Sequence, residues 1–105
     1  MALQIKTPGI IKTAQSADAT GGLTIWNPTT GKKFNITDLI VSTDTAMYLT
    51  FYDGVTVLIV VYLAANGGFV SNFQTPLNSQ TADNNFAVTA SVAGNISITA
   101  LGFES

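Results

Sequence analysis

Apolar and polar residues alternate over short stretches along almost all of this chain, and no stretch sustains a helical period. Successive side chains of a strand point to opposite faces, so this period-two pattern commits the chain to β structure. The stretches are rich in Thr, Val, Ile, Phe and Tyr and are broken by Gly, Asn and Asp, the usual residues of strands and of turns. Leu23–Asn27, Phe34–Thr43, Met47–Tyr52, Val55–Ala64, Phe69–Phe73, Phe86–Val92 and Ile96–Phe103 read as strands. Ahead of them, Leu3–Ile5 and Ile10–Ile11 read as an extended arm interrupted by Pro8–Gly9, and the small polar stretch Gln15–Gly22 reads as a linker. With the arm included, about eight short antiparallel strands at regular spacing predict an all-β fold, a β-sandwich of jelly-roll type. The expected organisation is arm and linker over residues 1–22 and a sandwich domain over residues 23–105.

Several turns carry their own chemistry. Asp53-Gly54 is the strongest hairpin signal, because a two-residue turn needs positive φ, which Asp and Gly tolerate. Ala93-Gly94-Asn95 predicts a second hairpin joining the last two strands, and Pro76–Asn85 reads as a polar loop. Within Phe34–Thr43 the apolar phase moves from Phe34 and Ile36 to Leu39 and Val41. A shift of that kind predicts a bulge near Asp38.

The segment Val55–Ala65 departs from half-buried alternation. One face carries Val55, Val57, Ile59, Val61 and Leu63, while the other carries Thr56, Leu58, Val60, Tyr62 and Ala64. A sandwich strand ordinarily buries one face and wets the other, yet Leu58, Val60 and Tyr62 occupy the face that should be wet. Two coverings fit: another part of the same chain, or other copies of it. An uncovered patch invites aggregation, and the shortage of charge favours copies.

That shortage is marked. Charged residues make up 10% of the 105 and apolar ones 47%, against a usual charged share of about 25%. A free monomer normally stays soluble through a charged surface. Four lysines, no arginine and a net charge of −2 argue against a nucleic-acid partner, since phosphate binding draws on clustered Lys and Arg. The only adjacent pair, Lys32–Lys33, reads as a solvated turn. The longest apolar run, Val57 to Ala65, is far short of the ~20 residues of a membrane helix. The start Met-Ala-Leu-Gln-Ile-Lys lacks the marks of a secretory signal, so no membrane partner is expected.

Catalytic equipment is absent. Without His or Cys, the nucleophilic triads and the usual zinc ligands are missing, and no catalytic residue, metal site or cofactor is expected. Asp53 is accounted for by its turn and Asp18 by its linker. Calcium is the residual metal to consider, because it accepts carboxylates and amides, and Asp38, Asp44 and Asp83–Asn85 could converge at one end of a sandwich. Trp26, Tyr48, Tyr52 and Tyr62 would be the candidates for a carbohydrate platform, although such aromatics more often serve a core or an interface. Asn35-Ile36-Thr37 and Asn95-Ile96-Ser97 fit the glycosylation pattern but read as strand residues.

The segments "KKFNITDLIVS", "FYDGVTVLIVVYLAANGGFVSNFQTPL" and "NFAVTASVAGNISITALGFE" resemble small jelly-roll proteins of tailed-phage particles. Those proteins are capsid decoration (cement) proteins and knob domains of head or tail fibres. The resemblance runs from Gly22 to Phe103 and lies in general character, with short strands, Asn/Gly turns, few charges and a Gly-Phe ending, rather than in an invariant motif. It implies a homotrimer on the virion surface, made in the host cytoplasm, with the major capsid protein or another virion protein as partner. The expected subunit interface is Leu58, Val60 and Tyr62. The expected attachment arm carries Leu3, Ile5, Ile10 and Ile11, with a strand that adds to a sheet edge. The alternative implied role is a carbohydrate-binding adhesin module of a head or tail fibre.

Overall fold

The structure, a computed structural model, describes residues 9–105. Eight strands follow one another: β1 (Ile10–Ser16), β2 (Leu23–Trp26), β3 (Phe34–Thr43), β4 (Met47–Asp53), β5 (Thr56–Leu63), β6 (Gly68–Asn78), β7 (Phe86–Ala90) and β8 (Ile96–Glu104). They form two four-stranded antiparallel sheets, sheet A in the order β1-β8-β3-β6 and sheet B in the order β2-β7-β4-β5. The pairs β1·β8, β2·β7, β3·β6 and β4·β5 are those of one long hairpin bent at β4–β5. Rolling that hairpin sends alternate pairs to opposite sheets, which is a jelly roll.

Alternation along each strand fills the space between the sheets. Trp26, Phe34, Phe51 and Phe86 are fully buried, with ring centroids 5.3 Å apart for Phe34 and Phe86 and 5.6 Å for Phe51 and Phe86. Ile36, Leu39, Val41, Leu49, Val88 and Ile98 complete the centre. Each such side chain contributes about 1.5–3 kcal/mol on leaving water, and together these outweigh a poverty of ion pairs.

Two β-bulges, in β3 and β5, set which residues of the outer faces point out, and a third irregularity in β2 leaves Ile25 as the extra residue against β7. The expected irregularity in β3 falls at Thr37, between Ile36 and Asp38. A β-carbon at the facing Gly102 would collide with the Asn35 carbonyl, so only glycine lets β8 approach there. The second bulge lies in β5, where Phe51 pairs with Ile59 but Tyr52 pairs with Val57, leaving Leu58 as the extra residue.

Four expectations need correction. Residues 10–22, expected as arm and linker, are held against the body: β1 pairs with β8 from Ile10↔Gly102 to Ser16↔Ile96. Ala19 is buried, and its carbonyl accepts the Gly22 and Ala90 amides at 3.0 Å each. β7 and β8 do not form a hairpin, because β7 joins sheet B and β8 joins sheet A; local alternation shows the face of a strand but not its partner. The β4–β5 turn is Gly54-Val55, one residue later than expected, with Asp53 paired to Thr56 and Gly54 at φ 63°. Finally, β6 continues through Pro76 to Asn78, which a strand at a sheet edge tolerates.

Candidate interaction surface

The outward face of sheet B carries no charge. Its four strands contain one residue that is charged at neutral pH, Asp53, and that residue is buried at the end of β4. The outward rows can be read from the register. Tyr62 lies opposite Tyr48, Val60 opposite Thr50, which faces Thr89, and Val57 opposite Tyr52, which faces Ala87. Tyr62 is 78% exposed and Val60 44%. The Tyr48 and Tyr62 rings are tilted against each other with centroids 5.2 Å apart, and the Tyr52 hydroxyl lies 3.3 Å from the Thr89 hydroxyl. The result is a flat wall of tyrosine, valine and threonine along the outer strand.

Val60 and Tyr62 therefore lie together, as their spacing predicts, and Leu58 does not lie with them. The bulge turns Leu58 toward the core, against which it packs half-buried. Val57 takes its place on the outer face. The nearby turn residue Val55 is also exposed.

The sequence reading missed a second apolar patch, on the outward face of sheet A. Ile40 pairs with Val70 and Ile11 with Leu101, with Phe103 two residues further along β8. Ile11 is 64% exposed and Val70 76%. These residues come from four strands that are distant in the sequence, so only the sheet order brings them together. Of the expected arm, Ile10 packs half-buried against the core and Ile11 belongs to this patch. Leu3 and Ile5 lie outside the described residues.

The polar candidates are spread over the molecule. Asp38 accepts Asn72 Nδ2 at 2.7 Å on sheet A, Asp44 accepts Asn95 Nδ2 at 2.7 Å between turns, and Asp83 accepts the Gly31 amide. Among the described residues no three acidic side chains come together, so the convergence considered for calcium does not occur. The Asp44 carboxyl is held below its usual range chiefly by the Thr45 hydroxyl, with Asn95 adding to it. Asp53 is more than a turn residue: its carboxylate accepts Ser79 Oγ at 2.8 Å, the Gln80 amide at 2.8 Å and Asn84 Nδ2 at 3.1 Å. It ties the β6–β7 loop to β4. Trp26 leaves the candidate carbohydrate platform altogether, being buried with Nε1 donating to Glu104 at 2.9 Å.

No protein-family model matches the chain, and no curated protein matches it either. Solved structures do. A chain of the cyanophage Pam1 capsid asymmetric unit is similar with TM-score 0.61 and 6% identity, the match covering 97% of this chain and 91% of that one. A chain of the Bacillus endospore appendages, described as a novel family of disulfide-linked pili, is similar with TM-score 0.54 and 12% identity over the full length of both. At such identities what is shared is the fold, over nearly the whole length of each chain.

Proposed function

We propose that this protein is a structural component of a virus particle, a decoration protein that packs as a homotrimer on a phage capsid surface. The observation that carries this reading is the uncharged outer wall of sheet B, with Tyr48, Val57, Val60 and Tyr62 exposed on it. Such a wall suits contact between copies, since obligate interfaces resemble a core cut in half. The fold supports the same reading, because a chain of nearly equal length and the same architecture is part of a cyanophage capsid.

In this arrangement the copies meet through sheet B, and the N-terminal segment reaches the capsid. Leu3 and Ile5 remain the apolar residues proposed for that attachment, in residues 1–8, which precede β1 in the sequence. The role requires no catalysis and no cofactor. The adhesin reading has one observation in its favour, the exposed Tyr48–Tyr62 pair. It loses Trp26, and the tyrosines lie on a sheet wall rather than at a loop end, which fits packing better than ligand capture.

Deleting residues 1–8 tests the attachment. The truncated protein keeps every described strand, so it should stay folded and oligomeric by circular dichroism and light scattering, yet fail to sediment with capsids stripped of the native protein. Undiminished co-sedimentation would place attachment on the sandwich itself.

A further inference from the structure

At one end of sheet A the turns after β3, β5 and β7 enclose an open depression of about 750 Å³, within the size range of small-ligand sites. Its floor is a single register row, with Gln15 on β1 opposite Ser97 on β8, and Ser97 opposite Ser42 on β3. The row ends at Gly68 on β6, which carries no side chain to close it. Asp44 and Asn95 form one wall, and Asn66-Gly67 contributes another. The wall is built: the Asp44 carboxylate accepts the Asn95 amide at 3.0 Å, Asn95 Nδ2 at 2.7 Å and the Thr45 hydroxyl at 2.7 Å. Asn66 stands at φ 57°, a left-handed conformation that asparagine tolerates.

The chemistry of this depression is specific. Gln15, Ser42 and Asn66 are exposed and Ser97 is half-exposed, so the lining offers amide and hydroxyl groups that both donate and accept. Asp44 is its one charged residue, and no lysine lines it, which disfavours anions. Two residues along the strands on the same face, Ile40 and Val70 form an exposed apolar pair. A lining of neutral hydroxyl and amide groups beside one carboxylate matches the ring hydroxyls of a sugar, and the apolar pair lies next to the depression rather than in it.

We propose that this depression binds a neutral oligosaccharide through Gln15, Ser42, Ser97, Asp44, Asn66 and Asn95. It lies on sheet A, on the opposite side of the sandwich from the wall assigned to self-association, so the two assignments stand or fall separately.

The test is a titration of the ¹⁵N-labelled protein with maltotriose and, separately, with triacetylchitotriose, with glycerol as control. At least one sugar should give saturable amide shifts confined to Gln15, Ser42, Asp44, Asn66, Gly67, Asn95 and Ser97, with Kd on the order of 1 mM. Replacing both Ser42 and Ser97 by valine, which outward strand positions accept, should weaken binding at least about tenfold, or about 1.4 kcal/mol. The dispersion of the remaining amide signals verifies that this variant is folded. Tyr62→Ala should bind as the parent does. Shifts absent with both sugars, reproduced by glycerol, or centred on Tyr48 and Tyr62 would overturn the assignment.

Discussion

Asp53 shows how a single residue can carry a local and a distant task. Beside glycine it reads as a turn residue, yet its carboxylate is buried and holds the Ser79 hydroxyl, the Gln80 amide and the Asn84 side-chain amide. Those partners are 26 to 31 residues away in sequence, so no local pattern reveals them. Asp53→Ala leaves the Gln80 amide and the Asn84 side-chain amide without this acceptor, while the Ser79 hydroxyl keeps the Thr81 carbonyl at 2.7 Å, and should cost about 2–3 kcal/mol. Urea denaturation checks this, and a loss under about 0.5 kcal/mol, within the ordinary range of surface changes, would mean that water replaces the carboxylate. Glu104 acts over a longer stretch of sequence, accepting Trp26 Nε1 at 2.9 Å and the Thr29 amide at 3.2 Å. The Trp26 hydrogen bond is the largest cause holding its carboxyl below the usual glutamate value, and Asp18 and Asp44 are lowered by hydrogen bonds too. A carboxyl lowered by folding stabilises the protein at pH values above the ordinary carboxylate range, and that stability is lost as pH falls through the lowered folded value. Stability, followed through Trp26 fluorescence on melting, should therefore fall as pH drops below about 5. Glu104→Gln should flatten part of that fall; an unchanged profile would show that Glu104 contributes nothing to it.

At the scale of the element, β5 is where assembly through sheet B is most open to test. Val60 is 44% exposed on the outer wall, so Val60→Asp meets water in an isolated subunit and a desolvated partner surface in an oligomer. A carboxylate buried there without a partner costs several kcal/mol. The expected outcome is a dissociated protein with an unchanged circular dichroism spectrum; a variant that keeps its oligomeric state would remove β5 from the interface. The same strand marks how far the sequence could be read. Its alternation identified Val60 and Tyr62 as neighbours on one face, but the bulge at Leu58 exchanges Leu58 for Val57. In β3 the bulge was legible, because Leu39 and Val41 continue the apolar phase for long enough after it. In β5 every residue on both sides of the bulge is apolar or Thr, so a phase change leaves no trace. Strand partners were equally hidden. Phe86–Ala90 and Ile96–Glu104 look like the arms of a hairpin, yet they belong to different sheets. β1 looks detached because its partner β8 lies at the far end of the chain, with Ile10 paired to Gly102 and Ser16 to Ile96. The patch of Ile11, Ile40, Val70, Leu101 and Phe103 follows from those pairings and was illegible for the same reason.

For the whole molecule, the chain's economy of charge acquires a location. Sheet B presents no charge at all, and the charges carried by the strands of sheet A are Lys12, Asp38 and Glu104. A jelly roll with an uncharged, partly apolar outer wall on sheet B is suited to being covered on that side. The β5 edge of sheet B fits this use as well. β5 contains neither charge nor proline, the devices that usually blunt an exposed edge strand. Light scattering coupled to size-exclusion chromatography measures the proposed association of copies through sheet B most directly. At micromolar concentration the expected result is a single species of three times the 11.0 kDa chain mass; a stable, non-aggregating monomer would contradict it.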